Sequence, residues 1–88
     1  MNFFTVEELN ILHKLWRHRC FGKGHMLIDN LVDGFPTNKQ ENIQRTLHDL
    51  IRKGYLIQKP TKHGHALYIN LIYRTAIEKG LKSHYPFL

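Results

Sequence analysis

The sequence predicts a mainly α (α+β) domain with three helices, one β-hairpin and a short C-terminal helix. Three observations lead to this fold class. The 88 residues, 42% of them apolar, suffice for only one hydrophobic core. Apolar residues recur at helical spacing in four segments of the chain. After Gly54 the pattern changes to short runs rich in aromatic and β-branched residues, which is typical of strands.

The first helix is predicted over residues 6–19. Thr5 and Glu8 form a T-x-x-E capping box at its start, in which each side chain satisfies a backbone donor. Phe4 and Leu9 occupy the two positions of a hydrophobic staple. The apolar side of this helix is built from Leu9, Ile11, Leu12, Leu15 and Trp16.

Two further helices are predicted before Gly54. A short helix covers residues 26–33, and its apolar residues are Leu27, Ile28, Leu31 and Val32. A longer helix covers residues 38–53 and begins at Thr37 or Asn38, each of which heads a capping motif. Its apolar stripe consists of Ile43, Leu47, Leu50 and Ile51. Gly54 ends this helix as its C-cap.

A β-hairpin is predicted over residues 55–69. Two strand-like runs flank residues 60–64, which would form a loop of about five residues. In this loop Pro60 helps to end the first strand, and Gly64 supplies the backbone freedom that the turn needs.

The last helix is predicted over residues 71–79, with Asn70 as its N-cap and Gly80 as its end. The side expected to pack on the core carries Ile72, Tyr73, Ala76 and Ile77. Residues 82–88 show no periodicity, so the predicted domain spans residues 1–81 and is followed by a tail. The apolar residues of that tail, which dock on the core or fray, are Tyr85, Phe87 and Leu88.

Charge favours a polyanionic partner. Thirteen Lys and Arg residues against seven Asp and Glu residues give a net charge of +6, with seven histidines counted as neutral. A basic surface that only maintains solubility is the alternative. The single cysteine excludes an internal disulfide. No apolar run reaches the length of a membrane span, and the N-terminus lacks signal-peptide features, so the expected location is the cytoplasm.

The predicted order of helix, short helix, capped helix, hairpin and helix resembles the winged helix-turn-helix superfamily. The resemblance covers about residues 5–80. It depends on that order and on the pattern Ile43-x3-Leu47-x2-Leu50-Ile51-x2-Gly54-Tyr55-Leu56. The chain looks like the small stand-alone winged-helix proteins that are frequent in archaea. Members often have a short strand between the first two helices, of which residues 20–24 would supply at most a residue or two.

The resemblance implies a DNA-binding protein, either a transcriptional regulator or a chromatin-associated factor. The helix over residues 38–53 would enter the major groove. There Arg45 would contact a guanine edge, and Asn38 or Asn42 would pair with adenine. The implied nucleic-acid-binding residues are Asn38, Lys39, Asn42, Arg45, His48 and Arg52 on the helix, and Lys59, Lys62, His63 and His65 on the wing. RNA is a sub-case, because a basic wing does not distinguish types of duplex.

The same helix face also permits a different interpretation. Arg45 is spaced i, i+4 from both Glu41 and Asp49, so the face can be a solvated helix surface with ion pairs. Two carboxylates on the face would also repel phosphate. Together with the aromatic tail at residues 85–88, they favour the alternative of a protein-protein interaction module. A homodimer through the first and last helices is a further expectation.

Metal binding and catalysis receive little support. His18, Cys20 and His25 are a possible zinc ligand set, but a structural zinc site needs four ligands. The fourth would come from a distant histidine: His13, His63 or His65. The alternative is that His18 ends the first helix and that Cys20 is a small buried residue. No orienting acid, oxyanion hole or phosphate-binding loop accompanies the cysteine, so no enzyme activity, cofactor or metal is predicted.

Overall fold

A computed structural model describes residues 3–86, in which helices pack on an antiparallel sheet. The elements are α1 (Val6–Arg17), β1 (Met26–Leu27), α2 (Ile28–Asp33), a 3-10 turn (Thr37–Lys39) leading into α3 (Gln40–Arg52), β2 (Leu56–Thr61), β3 (Gly64–Ile69), and a 3-10 turn (Leu71–Tyr73) leading into α4 (Arg74–His84). The sheet order is β1-β3-β2. The predicted α+β class is confirmed. None of the described helices is long and apolar enough to cross a bilayer.

The start of α1 matches the predicted capping box. The Thr5 hydroxyl accepts a hydrogen bond from the Glu8 backbone N–H at 3.1 Å, and the Glu8 carboxylate accepts one from the Thr5 N–H at 2.9 Å. The helix ends at Arg17, earlier than the predicted end at residue 19. The reason is that Arg19 adopts a left-handed backbone conformation, with φ at 55°, which stops the helix.

The prediction of a helix throughout residues 26–33 is wrong at its start. Met26 and Leu27 form β1, which pairs antiparallel with β3, and only the residues after them are helical. Their backbone groups therefore bond across the sheet instead of along a helix. Phe21 also makes an isolated bridge to the last residue of β3, so the segment at residues 20–24 supplies one residue of strand-like pairing, as predicted.

The capping motifs predicted at Thr37 and Asn38 do not open α3. A 3-10 turn precedes the helix and follows Pro36, whose φ of −55° suits the start of a helical turn. The N-cap residues are Pro36 for the turn and Lys39 for α3, and neither makes a side-chain capping bond. The Gln40 side chain instead donates to the carbonyl of a residue before the turn, Phe35, at 3.1 Å.

The hairpin is tighter than predicted. Thr61 pairs with Gly64, so only Lys62 and His63 form the turn, and the predicted five-residue loop is wrong. Pro60 lies within the ladder instead of ending the strand, because β2 is an edge strand whose outer N–H needs no partner. Gly64 has a φ of 120°, which confirms the backbone freedom expected of it.

The last helix begins with a 3-10 turn and extends further than predicted. The Asn70 side chain accepts from the Ile72 N–H at 3.1 Å, so Asn70 caps this turn, whereas α4 itself begins only at Arg74 and has no side-chain cap. Gly80 does not end the helix: it is buried within α4, which continues to His84 across the predicted boundary at residue 81. The predicted packing side is confirmed for Ile77, which is buried, and wrong for its other members: Ile72 is 84% exposed, and Tyr73 and Ala76 are also exposed. The side of α4 that is buried consists of Ile77, Gly80 and Leu81.

Tyr85 follows α4 and docks on α1. Its hydroxyl donates to the Asn10 side-chain oxygen at 2.6 Å, and its ring stacks on His13. The predicted docking of the tail is therefore confirmed for Tyr85. The two other apolar residues of the predicted tail, Phe87 and Leu88, lie outside the described residues.

The core lies between α1, α3, α4 and the sheet. The predicted apolar stripe of α1 is buried, except that Trp16 is only half-buried. The stripe of α3 is buried through Ile43, Leu47 and Leu50, and Ile51 packs at its edge. The buried side chains from the rest of the fold include Phe4, Leu31, Val32, Leu56, Leu67, Ile69, Ile77 and Leu81. Because α3 buries one side so completely, its opposite face is left to solvent.

Candidate nucleic-acid interface

One continuous exposed face covers α3 and the turn before it. The helix-side residues predicted to bind nucleic acid are all exposed: Asn38, Lys39, Asn42, Arg45, His48 and Arg52. Four of them share one face of α3 because the buried stripe fixes the rotation of the helix, at about 100° per residue: Asn42, Arg45, His48 and Arg52. Asn38 and Lys39 lie in the 3-10 turn before α3. The structure therefore brings the four residues of α3 together and places the other two at the start of the same helix.

Carboxylates engage both arginines of this face. Arg45 Nη2 lies 3.1 Å from Glu41 Oε1, and Arg52 Nη2 lies 2.8 Å from Asp49 Oδ1. The predicted i, i+4 pair of Arg45 with Glu41 is confirmed. The alternative pairing of Arg45 with Asp49 does not form, because Asp49 pairs with Arg52 instead. Both observed pairs are exposed to solvent, so each contributes only a few tenths of a kcal/mol.

Lys39 is the cation of this face without a carboxylate partner. It is exposed at the N-terminal end of α3, and it forms no ion pair within residues 3–86. Because its charge is exposed and unpaired in these residues, it is available to an anion from outside. The position suits a backbone phosphate, as the sequence predicts for Lys39.

The hairpin carries a second group of cations. Lys62, His63 and His65 are exposed at or beside its tip. Lys59 is half-buried, and its Nζ lies 5.8 Å from the centroid of the Tyr68 ring, where a cation–π contact holds it across the two strands. Residues 50–77, which include the whole hairpin, contain no Asp or Glu. The hairpin is therefore a surface of one sign of charge.

A cavity of about 310 Å³ separates the hairpin tip from the start of α2. Its lining brings His63 and His65 close to Asp29. Asp29 is the acidic residue among the described residues that line this cavity, and it belongs to α2, outside the acid-free segment. Within residues 3–86, no cluster of three or more His, Cys, Asp or Glu side chains is placed to hold a metal ion.

The sequence region around Cys20 is structural. Cys20 is 2% exposed, and its thiol donates to the His18 carbonyl at 3.7 Å. Burial raises the pKa of the Cys20 thiol, which keeps it protonated and unreactive. His18 is the C-cap of α1 and His25 is exposed beyond the next turn. The predicted roles of Cys20 as a buried residue and of His18 as a helix end are confirmed.

A contact that the sequence did not reveal fixes α3 against α1. Glu8 is 5% exposed, and its two carboxylate oxygens contact different partners: Oε1 accepts from the Thr5 N–H, and Oε2 lies 3.2 Å from Lys53 Nζ. Lys53 is the C-cap of α3, one residue before the predicted Gly54, which follows it with a φ of 88°. One carboxylate therefore caps the first helix and clamps the end of the helix that carries the exposed polar face. The capping box was the only local signal for Glu8, and nothing local pointed to its distant partner.

A groove of about 360 Å³ runs between these two helices, and Arg45 and Asn42 lie on its α3 wall. The opposite wall includes Glu7 and Glu8 at the start of α1. The groove thus has carboxylates on both walls, because Asp49 lies on the α3 wall beside the candidate base-contacting groups.

Comparison of the chain with known protein families, with curated protein sequences and with solved structures gave no match.

Proposed function

We propose that this chain is a winged helix-turn-helix protein that binds double-stranded DNA in the cytoplasm, as a transcriptional regulator or a chromatin-associated factor. The element order supports the proposal: α1, β1, α2 and α3 are followed by a hairpin and a final helix. The short strand β1 between α1 and α2 is a feature that members of this superfamily often carry. In this proposal α3 is the recognition helix and the hairpin of β2 and β3 is the wing.

The observation that carries the proposal is the pairing of an exposed polar helix face with an acid-free basic hairpin on one small domain. A helix of this kind fits the major groove and reads base edges. The cations of a wing neutralise phosphates and release their counterions, which gives affinity without sequence preference. The two surfaces therefore divide specificity and affinity between them.

The ion pair on Arg45 does not prevent base contact. Breaking an exposed i, i+4 pair costs about 0.2 to 0.5 kcal/mol. A bidentate contact of an arginine with a guanine edge contributes about 1 to 3 kcal/mol of discrimination. By this comparison, Arg45 gains free energy when its guanidinium leaves Glu41 and contacts a guanine instead. Asn42, three residues earlier on the same face, is the matching group for adenine.

Selection from random duplex DNA tests the proposal. The wild-type protein should enrich a defined sequence, and Arg45→Ala should relax it at one position. Arg45→Lys is the control, because it keeps the charge but lacks the fork geometry, and it should relax the same position. With about five phosphates neutralised, the log-log salt slope should be about −4 to −5. A protein without salt-sensitive binding to any DNA duplex would exclude the proposal. Binding to duplex RNA alone would redirect it to RNA.

A protein-interaction module is the second candidate, and one observation favours it. The large apolar side chains that are exposed in residues 3–86 lie at the starts of α1 and α4: Phe3, Val6, Leu71, Ile72 and Tyr73. A homodimer through the first and last helices would cover them. Light scattering at tens of micromolar shows whether the homodimer forms. Purification from the native host with nuclease treatment shows whether another protein is bound. A nuclease-resistant partner protein without any duplex binding would favour the module.

A further inference from the structure

A second basic surface lies at the end of α1 and is formed by residues outside the predicted interface. Residues 9–28 contain no Asp or Glu. Within that segment Arg17, Arg19 and Lys23 are exposed on the end of α1 and the turns that follow. None of the three forms an ion pair in the described part of the chain. The segment therefore presents cations that no acidic neighbour neutralises.

A fourth cation reaches this surface from α4. The Arg74 guanidinium carbon lies 5.8 Å from the Trp16 ring centroid and 5.3 Å from that of Phe21. The two rings are half-buried and their centroids are 5.4 Å apart, so they form a common support. Cation–π contacts hold the guanidinium over these rings without removing its charge. Arg74 is exposed and has no ion pair within residues 3–86.

The backbone between these cations is held in a specific shape. Arg19 has a φ of 55°, which is uncommon for a residue other than glycine. Gly24 lies directly over it: a Cβ added at Gly24 would clash with the Arg19 carbonyl oxygen. The Cys20 N–H bonds back to the Leu15 carbonyl at 2.9 Å and closes the end of α1. The turns that carry Arg19 and Lys23 are therefore packed against each other and anchored to the helix.

The position of this surface is opposite the hairpin tip. Phe21 bridges to Ile69 at the end of β3, whereas the hairpin turn adjoins Gly64 at its start. β3 has six residues, so its ends are about 17 Å apart at roughly 3.3 Å per residue. Arg17, Arg19, Lys23 and Arg74 are named here the distal basic surface. It lies at the end of β3 that is opposite the hairpin tip.

We infer that the distal basic surface binds the phosphate backbone of a second nucleic-acid duplex, so that one protein molecule bridges two duplexes. The inference rests on the proposed function, which supplies the first duplex. The chemistry fits a backbone: its four members are cations that neutralise phosphates, and they lie on a helix end, on turns and on a second helix, not along one helix face that could enter a groove. The second contact is therefore independent of sequence and sensitive to salt.

A bridging assay tests this with two matched variants of the full chain. One duplex is fixed on beads, and a second, fluorescent duplex of unrelated sequence is added with protein at about 50 mM salt. The first variant combines Arg19→Asn with Lys23→Ser, since asparagine tolerates the left-handed backbone at Arg19. The second combines Lys59→Ala with Lys62→Ala and removes the same charge from the hairpin. Circular dichroism checks that both variants fold.

The wild-type protein should retain the fluorescent duplex on the beads. The distal variant should bind a single duplex with unchanged affinity but retain at least about tenfold less of the second one. The hairpin variant should lose single-duplex affinity as well. These results would distinguish bridging by one molecule from bridging by a homodimer. In a homodimer each protomer would hold one duplex, so the distal variant would retain the second duplex as well as the wild type does.

Three results would overturn the inference. The first is equal retention by the wild-type protein and the distal variant. The second is a wild-type protein that binds one duplex but retains no second one. The third is capture of a poly-glutamate peptide, and not of the second duplex, by the distal surface, which would indicate an acidic protein partner. A wild-type protein that binds no duplex at all overturns the proposed function instead.

Discussion

The guanidinium of Arg45 donates to the Glu41 carboxylate at 3.1 Å across one turn of α3, and both side chains are exposed to solvent. The pair places a negative charge beside the group proposed to read a base. Glu41 therefore has two effects on nucleic-acid binding: it occupies Arg45, and it repels phosphate.

We expect Glu41→Gln to strengthen duplex binding. The change frees Arg45 and removes one repelling charge, so affinity should rise on the order of fivefold, about 1 kcal/mol. Stability should change by less than about 0.5 kcal/mol, because the lost pair is exposed. Fluorescence anisotropy gives the affinity, and urea unfolding gives the stability.

Glu78→Gln is the matched control for this change. It makes the same charge difference on α4, where Glu78 forms another i, i+4 pair with Lys82, at 4.0 Å. An equal gain from both variants would mean that net charge alone is responsible. No gain from Glu41→Gln would contradict a role of this face in binding.

The hairpin should contribute affinity and not specificity. Lys59→Ala combined with Lys62→Ala removes two cations, and the log-log salt slope should become less steep by about 1.8. Affinity for all duplex sequences should fall by the same factor, because phosphates carry no sequence information. Lys79→Ala combined with Lys82→Ala, on α4, removes the same charge and should leave the slope nearly unchanged. A loss that differs between sequences would instead indicate base contacts by the hairpin.

The Thr5 cap should contribute measurably to stability. Thr5→Ala removes the acceptor for the Glu8 N–H at 3.1 Å and should lower the free energy of unfolding by about 1 kcal/mol. Thr5→Ser retains a hydroxyl and should stay close to the wild type. Urea unfolding measures both. Equal stability of the alanine and serine variants would mean that the hydroxyl is replaced by water at no cost.

Local physics explains which parts of the fold the sequence predicted. The Thr5 capping box and the apolar stripes of α1 and α3 are patterns within a few residues, and the structure matches them. The strand β1 depends on pairing with β3, as in Met26 opposite Leu67, which is far away in the chain. The apolar residues that begin that segment are equally compatible with a helix turn and a strand. Only the presence of β3 beside them decides between the two.

The candidate site divides in the same way. The exposure of Asn42 and Arg45 could be predicted because it follows from the opposite, buried stripe. The ion pair between Asp49 and Arg52 could not be predicted, because Arg45 and Arg52 are both close enough in sequence to pair with Asp49. The contact of Glu8 with Lys53 and the aromatic support of Arg74 join distant segments, so no spacing rule reveals them.

Stability should fall at acidic pH through the contact of His13 with Tyr85. The two rings stack at 3.9 Å with 13° between their planes, and the Tyr85 hydroxyl donates to Asn10 at 2.6 Å. Burial, followed by the positive charges of Arg17 and His84, lowers the pKa of His13 below its ordinary value of 6.5. His13 therefore binds a proton less readily in the folded protein than in the unfolded chain. The stability contribution of neutral His13 is complete above about pH 6.5 and is lost as the pH falls through and below that value.

His13→Phe tests this, because phenylalanine retains a flat ring against Tyr85 and cannot be protonated. Unfolding free energies between about pH 7.5 and pH 5 should decline less steeply in the variant than in the wild type. Tyr85→Ala is the complementary change: it exposes the imidazole, moves the pKa of His13 back toward its ordinary value and should also reduce the decline. The wild type and His13→Phe differ at no other residue, so the difference between their curves isolates His13. Identical slopes in the wild type and His13→Phe would contradict the role of this stack.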